Sequence, residues 1–171
     1  MLYLTHAPRP PLSKFVELFW FYEGYSQTHA KERIMPDGSM QIVINLLEDE
    51  LKTYHPESPE RFEKFSGALF AGPRSGFGVI DTASQASLIG IHFKPGGALP
   101  LLNMPLGELR NQSLSLECLW GPRGKDVRDR VLDHDAPAHP SPLLAAPTVT
   151  LPPTPNGDAP LRRRSADATA V

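Results

Sequence analysis

"PDGSMQIVINLL", residues 36–47, is the segment that decides the fold class. Pro36, Asp37 and Gly38 are typical of a turn, because proline presets φ, aspartate bonds to nearby backbone and glycine accepts positive φ. From Met40 to Leu46 every second residue is large and apolar, which is the period of a half-buried strand. The segment therefore predicts a tight turn followed by a strand with a strong inner face.

Further strands are predicted on both sides of this segment. A short helical pattern begins at Leu12 and leads into an aromatic run at residues 18–25, and residues 86–93 form another strand-like run. Within residues 67–82, Gly72 and Pro73 mark a turn between two short strands. Connections this short leave no room for crossover helices, so we expect a mostly antiparallel sheet.

Helical spacing begins after Pro95, Gly96 and Gly97. Since glycine permits unusual dihedrals, we expect this turn to end a strand sharply and to let a leucine-rich helix fold back over the sheet. Three leucines of that helix should face inward: Leu99, Leu101 and Leu102. Val127 and Val131 lie four residues apart in a further helical segment. Strands followed by helices predict an α+β fold.

The composition is that of an ordinary soluble globular chain. It has 171 residues, 40% of them hydrophobic, and its formal net charge of -2 gives no sign of a nucleic-acid surface. The first residues lack the features of a secretory signal and no apolar run is long enough to span a membrane, so we expect a cytoplasmic protein with no membrane partner. Cys118, the single cysteine, agrees with a reducing compartment, and we assign it no chemistry.

The composition changes near Asp133. Every Phe, Trp and Tyr lies at or before Trp120, whereas residues 134–171 are rich in Pro, Ala, Thr and Arg. A chain with so little to bury cannot offset its ordering entropy. We therefore predict one domain over residues 1–133 and a disordered tail over residues 134–171, which is either a natural linker or an out-of-frame stretch.

Signatures of catalysis are absent from the sequence. The six histidines contain no pair spaced one residue apart, as a metal-binding barrel usually needs, and no serine stands in a Gly-x-Ser-x-Gly elbow. "AGPRSGFG" (residues 71–78) has neither the lysine of a phosphate loop nor a dinucleotide fingerprint. The acidic runs at residues 48–50 and 56–65 read as solvated loops. We predict no catalytic residue, metal or cofactor, and keep a metal-dependent cupin enzyme as a disfavoured alternative.

Four segments together resemble the N-terminal domain of bacterial AraC-type transcriptional regulators: "PPLSKFVELFWFYEG", "ERIMPDGSMQIVINL", "FAGPRS" and "LIGIHFKPGGALPLLNMPLGELRNQSLSLECLWG". The resemblance implies a cupin-like β-barrel or sandwich that senses a small-molecule effector and dimerises. It also implies a C-terminal pair of helix-turn-helix units, but here the sequence passes into the Pro/Ala-rich tail. We therefore expect a homodimer, or a heterodimer with a full-length relative, and no specific DNA binding by this chain alone. A stand-alone small-molecule-binding barrel is the alternative.

An effector pocket should lie inside the sheet, lined by aromatic residues and a few polar anchors. The candidates lie in predicted strands or just before the Pro-Asp-Gly turn: Trp20, Tyr22, Arg33, Asn45, His92 and Phe93. Core packing is an alternative role for Trp20 and Phe93. Arg33 could anchor an anion, although an ion pair with Asp37 would explain it equally well.

Overall fold

The structure, a computed structural model, describes residues 1–102 and 104–134. In this part of the chain ten strands form two antiparallel sheets: β1 Leu2–His6, β2 Val16–Glu23, β3 Lys31–Ile34, β4 Met40–Asn45, β5 Leu51–His55, β6 Ser58–Phe65, β7 Ala68–Ala71, β8 Gly78–Asp81, β9 Ser87–Phe93 and β10 Ser113–Ser115. The larger sheet has the order β1-β2-β9-β4-β7-β10, and the smaller has the order β3-β8-β5-β6. The predicted α+β class and antiparallel pairing are confirmed, and the form is a sandwich.

Strand β4 lies in the middle of the larger sheet, between β9 and β7. Its alternation sorts side chains onto two faces. Met40, Ile42 and Ile44 are buried in one core cluster, whereas Gln41 and Val43 face the smaller sheet and line the cavity described below. The period of two in the sequence therefore determines which residues reach the site.

Two helices cover the outer face of the larger sheet: α1 Leu116–Trp120 and α2 Pro122–His134. Leu116 and Leu119 are buried there, and Val127 packs against the same core cluster. The side chain of Arg128 donates from Nε to the backbone carbonyl of Asn45 over 2.7 Å, which ties α2 to the end of β4. No helix of the described residues has the length and apolar composition needed to cross a membrane.

The prediction of a solvated loop is confirmed for residues 48–50 but was wrong for residues 56–65. Residues 51–55 and 58–65 are strands β5 and β6, which form a hairpin. Strand β6 is an edge strand whose residues are nearly all exposed, so it carries charges on both faces. Such a strand has the composition of a loop. Because both of its faces are exposed, its hydropathy does not alternate from one residue to the next.

The leucine-rich helix predicted after Gly97 is also absent from the described residues. Two 3₁₀ turns occupy the segment instead, at Leu99–Leu101 and Leu106–Leu109, and β10 precedes α1. Pro100 and Pro105 lack the N–H donors that an α-helix needs. Two of the leucines predicted to face inward are exposed, Leu99 by 50% and Leu101 by 43%. Leu102 does pack against the core.

The Pro95-Gly96-Gly97 segment lies directly after β9, where the chain turns away from the sheet. Gly96 has a φ of 73°, in the left-handed region. Gly97 is restricted in another way, because a Cβ there would lie 2.0 Å from the backbone oxygen of Phe15. The predicted disorder of residues 134–171 lies outside the described residues, apart from His134, the last residue of α2.

Candidate functional site: a cavity between the two sheets

A cavity of about 530 Å³ lies between the two sheets. The larger sheet supplies one wall, and Leu51, Val79 and Ile80 of the smaller sheet contribute to the other. Small-molecule sites commonly have volumes of about 300–1,000 Å³ and mostly apolar walls with a few polar groups. The size of this cavity is therefore sufficient for a metabolite-sized ligand.

The strand register arranges the cavity face of the larger sheet in rows. One row is mostly polar and runs across four neighbouring strands: His92, Gln41, Ala71 and Ser113. The next row along the strands is apolar: Trp20, Gly90, Val43 and Leu69. Rows two residues apart are separated by about 7 Å in a sheet. A ligand with a polar head and an apolar body would match this pattern.

Trp20 is positioned by a glycine on the neighbouring strand. A Cβ on Gly90 would lie 2.2 Å from Cζ2 of the Trp20 indole, so only glycine lets the ring lie this close to the sheet. Tyr22 stacks beside the indole, with ring centroids 5.4 Å apart and an interplanar angle of 13°. The two rings form an aromatic wall for the cavity.

Two phenols add hydrogen-bond donors to this wall. The Tyr22 hydroxyl donates to Oε1 of Gln85 over 2.5 Å, and the Tyr25 hydroxyl donates to Glu32. Burial, reinforced by the nearby Tyr25 and Glu32, raises the pKa of Tyr22. Burial and the bond to Glu32 raise the pKa of Tyr25 to about 12. Both phenols are therefore neutral donors at physiological pH.

A polar cluster lies at one end of the polar row, around His92. Its Nε2 is 3.1 Å from Oγ of Ser39 and 3.5 Å from Oδ2 of Asp37, and its Nδ1 is 3.6 Å from Oε2 of Glu17. Desolvation by itself would raise the pKa of Asp37. Hydrogen bonds from the Ser39 hydroxyl and backbone N–H, together with the charge of His92, outweigh desolvation and lower this pKa.

The cluster has a serine, a histidine and carboxylates, but its bonds run in the wrong direction for a serine nucleophile. An ionised Asp37 can only accept, so the Ser39 hydroxyl donates its proton to Asp37, over 2.6 Å. His92 must then donate to Ser39, whereas a general base would have to accept from it. Within residues 1–102 and 104–134, no three His, Cys, Asp or Glu side chains form a group that could hold a metal ion.

The structure places three of the six candidates on the cavity and three elsewhere. Trp20, Tyr22 and His92 line it. Arg33 is exposed and stacks on Phe77, with the guanidinium carbon 4.9 Å from the ring centroid. It is not paired with Asp37, whose Oδ2 lies 3.5 Å from Nε2 of His92 instead. Of the predicted turn residues, Pro36, Asp37 and Gly72 contribute to the cavity wall.

Phe93 faces the opposite side of the sheet. It is 2% exposed and packs against Phe70, with ring centroids 6.3 Å apart. Because neighbours in a strand point to opposite faces, His92 and Phe93 cannot both reach the cavity. The prediction that Phe93 lines the pocket was therefore wrong, and its alternative role in core packing is the observed one.

Asn45 is a structural residue and not a pocket residue. Its Oδ1 accepts from the backbone N–H groups of Leu47 and Glu48 at 2.9 and 3.0 Å. Its Nδ2 donates to the carbonyls of Glu50 and Ser84 at 3.2 and 3.3 Å. The side chain is thus fully used in holding the loop that leads from β4 to β5.

Several polar residues of the cavity were not predicted from the sequence, among them Gln85, Arg74 and Ser113. Arg74 lies in the "FAGPRS" segment, which had been used only as a turn signal. Gln85 and Ser113 reach the cavity through contacts that are distant in sequence, as in the bond between Arg74 and Ser113. No local pattern in the sequence marks such positions.

Residues 4–115 of the chain match a domain of unknown function, DUF6597. This match begins within β1 and ends at the last residue of β10, so it covers strands β2 to β10 in full. No curated protein and no solved structure matches the chain significantly. The chain belongs to the family of proteins that carry the DUF6597 domain.

Proposed function

We propose that this chain is the sensing and dimerisation part of a cytoplasmic transcriptional regulator of the AraC type, and that a small-molecule effector binds between the two sheets. The observation that carries the proposal is the cavity of about 530 Å³. The order of the motifs that resemble the AraC N-terminal domain supports it as well. All four of those segments contribute residues to the cavity wall. Examples, in chain order, are Trp20, Val43, Arg74 and His92.

The cavity wall has the chemistry of a binding site for an amphipathic molecule. The stacked rings of Trp20 and Tyr22 offer an aromatic surface, and Val43, Leu69 and Leu88 extend it. Aromatic contacts provide large buried area together with specific geometry. The polar row beside this surface would orient the ligand.

The fold also offers a physical route from the cavity to the helices. Strands β2, β9 and β4 present one face to the cavity and the other to the core cluster beneath α1 and α2. The hydrogen bond from Arg128 joins α2 directly to the end of β4. A ligand that shifts β4 would therefore change the support of α2, the segment before the position where the AraC resemblance would continue.

A regulator of this kind would act through self-association. We propose a homodimer or a heterodimer with a full-length relative, and no promoter preference for the chain by itself. A formal net charge of -2 gives little attraction to phosphates. Light scattering should detect a dimer, and a strictly monomeric mass at high concentration would overturn this part. Tight, selective binding of one promoter fragment at about 150 mM salt would overturn the proposal that the chain by itself has no promoter preference.

The test of effector binding is a thermal-shift screen of metabolite-sized compounds on the full chain, repeated on Val43→Phe. The larger side chain should fill the centre of the cavity, because Val43 lies in the apolar row on the central strand. A true effector raises the melting temperature of the wild type and has a much smaller effect on the variant. Circular dichroism checks that the variant folds. Compounds that shift both proteins equally would place binding elsewhere and contradict the proposal.

A stand-alone small-molecule-binding protein is the second candidate. The same cavity favours it, since nothing in the cavity itself requires a DNA-binding partner domain. The two candidates differ in the encoding nucleotide sequence. A helix-turn-helix reading in another frame just downstream supports the regulator, and its absence supports the stand-alone protein.

A further inference from the structure

The cavity is lined by four residues with acidic or strongly basic side chains: Glu32, Asp37, Lys52 and Arg74. Three of them are neutralised or bonded by their neighbours. Glu32 accepts from Tyr25 and lies 2.8 Å from a ring nitrogen of His29. Asp37 accepts from Ser39, and Lys52 lies 2.6 Å from Glu50. Arg74 is the exception.

Arg74 follows β7, and its guanidinium lies at the end of the polar row. Its Nη2 donates to Oγ of Ser113 over 2.8 Å. Gly78 lies beside it, and a Cβ there would be in ordinary van der Waals contact with the guanidinium carbon, at 3.7 Å. Among residues 1–102 and 104–134, no carboxylate oxygen lies within 4.0 Å of this guanidinium, and the bond to Ser113 is its one hydrogen bond. Most of its five N–H donors therefore have no protein acceptor among these residues.

The electrostatic environment of Arg74 favours the binding of an anion. Burial lowers the pKa of Arg74, which means that the charged form has lost hydration. The charge of Glu63 acts in the opposite direction but does not compensate. A partly desolvated guanidinium without a counter-ion is stabilised when a carboxylate binds it through two parallel hydrogen bonds.

We propose that Arg74 anchors the carboxylate of a small ligand whose aromatic or aliphatic body lies along the apolar row. This inference rests on the proposed function, because it names the chemical class of the effector. A single carboxylate fits better than a phosphate, since Lys52 is already paired with Glu50 and one unpaired cation is available in the cavity of the described residues. Ser113 and Gln41 of the polar row would supply further hydrogen bonds.

The geometry also limits the size of the ligand. The apolar row begins about 7 Å from the polar row along the strands. Trp20 lies three strands away from β7, a distance of about 14 Å across the sheet. A carboxylate joined to a ring by a short chain of about 7 Å would therefore place its ring on the apolar row, and a length of about 14 Å or more would be needed to touch Trp20.

The test compares acids with their neutral primary amides by titration calorimetry on the full chain. The probes are 4-phenylbutanoate and 2-naphthylacetate, each with its amide. We expect the acids to bind the wild type at least about 10-fold more tightly than the amides, because a hydrogen-bonded charge pair has about this effect on affinity. Arg74→Gln should weaken acid binding by about 10- to 100-fold and remove the preference over the amide.

Two further variants serve as controls. Lys52→Gln removes a cavity cation that already has a partner, and should change acid binding by less than about threefold. Arg74→Lys keeps the charge without the planar fork, and should retain part of the preference. If Arg74→Gln does not fold, as judged by circular dichroism, Arg74→Lys carries the test, and full retention of affinity in it counts against a two-bond contact.

The outcomes separate this inference from the proposed function. Equal binding of acid and amide to the wild type, or an acid preference that survives Arg74→Gln, overturns the carboxylate anchor and leaves the cavity as a site for neutral ligands. Absence of binding by both acids also overturns the anchor. The proposed function fails with it only if the compound screen on the wild type and on Val43→Phe gives no cavity-dependent shift.

Discussion

Replacing Asn45 by alanine should destabilise the protein without altering its cavity. The side chain is 1% exposed and makes four hydrogen bonds to backbone groups. Each such bond contributes about 0.5–1.5 kcal/mol net, or about 2–6 kcal/mol in total. Leu47 and Glu48 are exposed, so water can replace the lost bonds to their N–H groups. We therefore expect a loss of about 2–4 kcal/mol, which is about 6–12 °C in melting temperature at about 3 °C per kcal/mol.

Asn45→Asp is the matched variant. It keeps the acceptor for two N–H groups but places an oxygen against the carbonyls of Glu50 and Ser84, where Nδ2 now donates. These carbonyls and the burial should raise the folded-state pKa of the new carboxyl above its unfolded value of about 4. The variant should then be least stable at neutral pH and recover as pH falls through the folded-state pKa, because the folded state binds the proton more tightly.

Two measurements would test this account of Asn45: thermal melts followed by circular dichroism, and titration calorimetry with 4-phenylbutanoate and 2-naphthylacetate well below the melting temperature. The expected result is a large fall in melting temperature with probe affinity within about twofold of wild type, since Asn45 does not line the cavity. An unchanged melting temperature combined with weakened binding would refute the reasoning. It would show that Asn45 contacts the ligand, as the sequence had suggested.

Three further variants test contacts near the cavity and the end of β9. Gly90→Ala should push the Trp20 indole toward the cavity and weaken probe binding, because the added methyl would lie 2.2 Å from the ring; unchanged affinity in calorimetry would contradict this. Gly97→Ala should lower the melting temperature by about 3–9 °C through its clash with the Phe15 carbonyl; an unaltered melt would exclude the close approach. Tyr25 has a pKa of about 12, above its ordinary 10.0, so its contribution to stability should be lost as pH rises from about 10 to about 12. Denaturant midpoints of Tyr25→Phe should fall less over this range, and an equal fall would contradict the assignment.

The strands with an apolar face could be predicted from the sequence. In β4 and β9 the large apolar residues alternate, and burial on one face is what creates this pattern. The aromatic run around Trp20 predicted β2 for another reason, the preference of aromatic residues for strands. Strand β6 could not be found in this way, because both of its faces are exposed and hydropathy is blind to it.

The sequence predicted a site residue correctly only where membership of a clear strand was enough to place it. His92 was found because it lies in a clear strand, but the face on which each residue lies depends on the register with neighbouring strands. Phe93 was misplaced for this reason, since the sequence does not say which of two adjacent residues points to the cavity. Arg74 is positioned by its bond to Ser113, 39 residues away, and a contact of that range has no local signal.

The location of a bound ligand tests the central claim most directly, and the two tryptophans make it measurable. Trp20 lines the cavity, whereas Trp120 lies on the helical side of the larger sheet, where its Nε1 donates to the carbonyl of Leu101 over 2.7 Å. In the full chain labelled with 5-fluorotryptophan, the two ¹⁹F resonances can be assigned with Trp120→Phe. Saturating 4-phenylbutanoate should shift the Trp20 resonance and leave the Trp120 resonance in place. A shift of Trp120 alone, or no shift of either at saturation, would contradict a ligand site between the sheets.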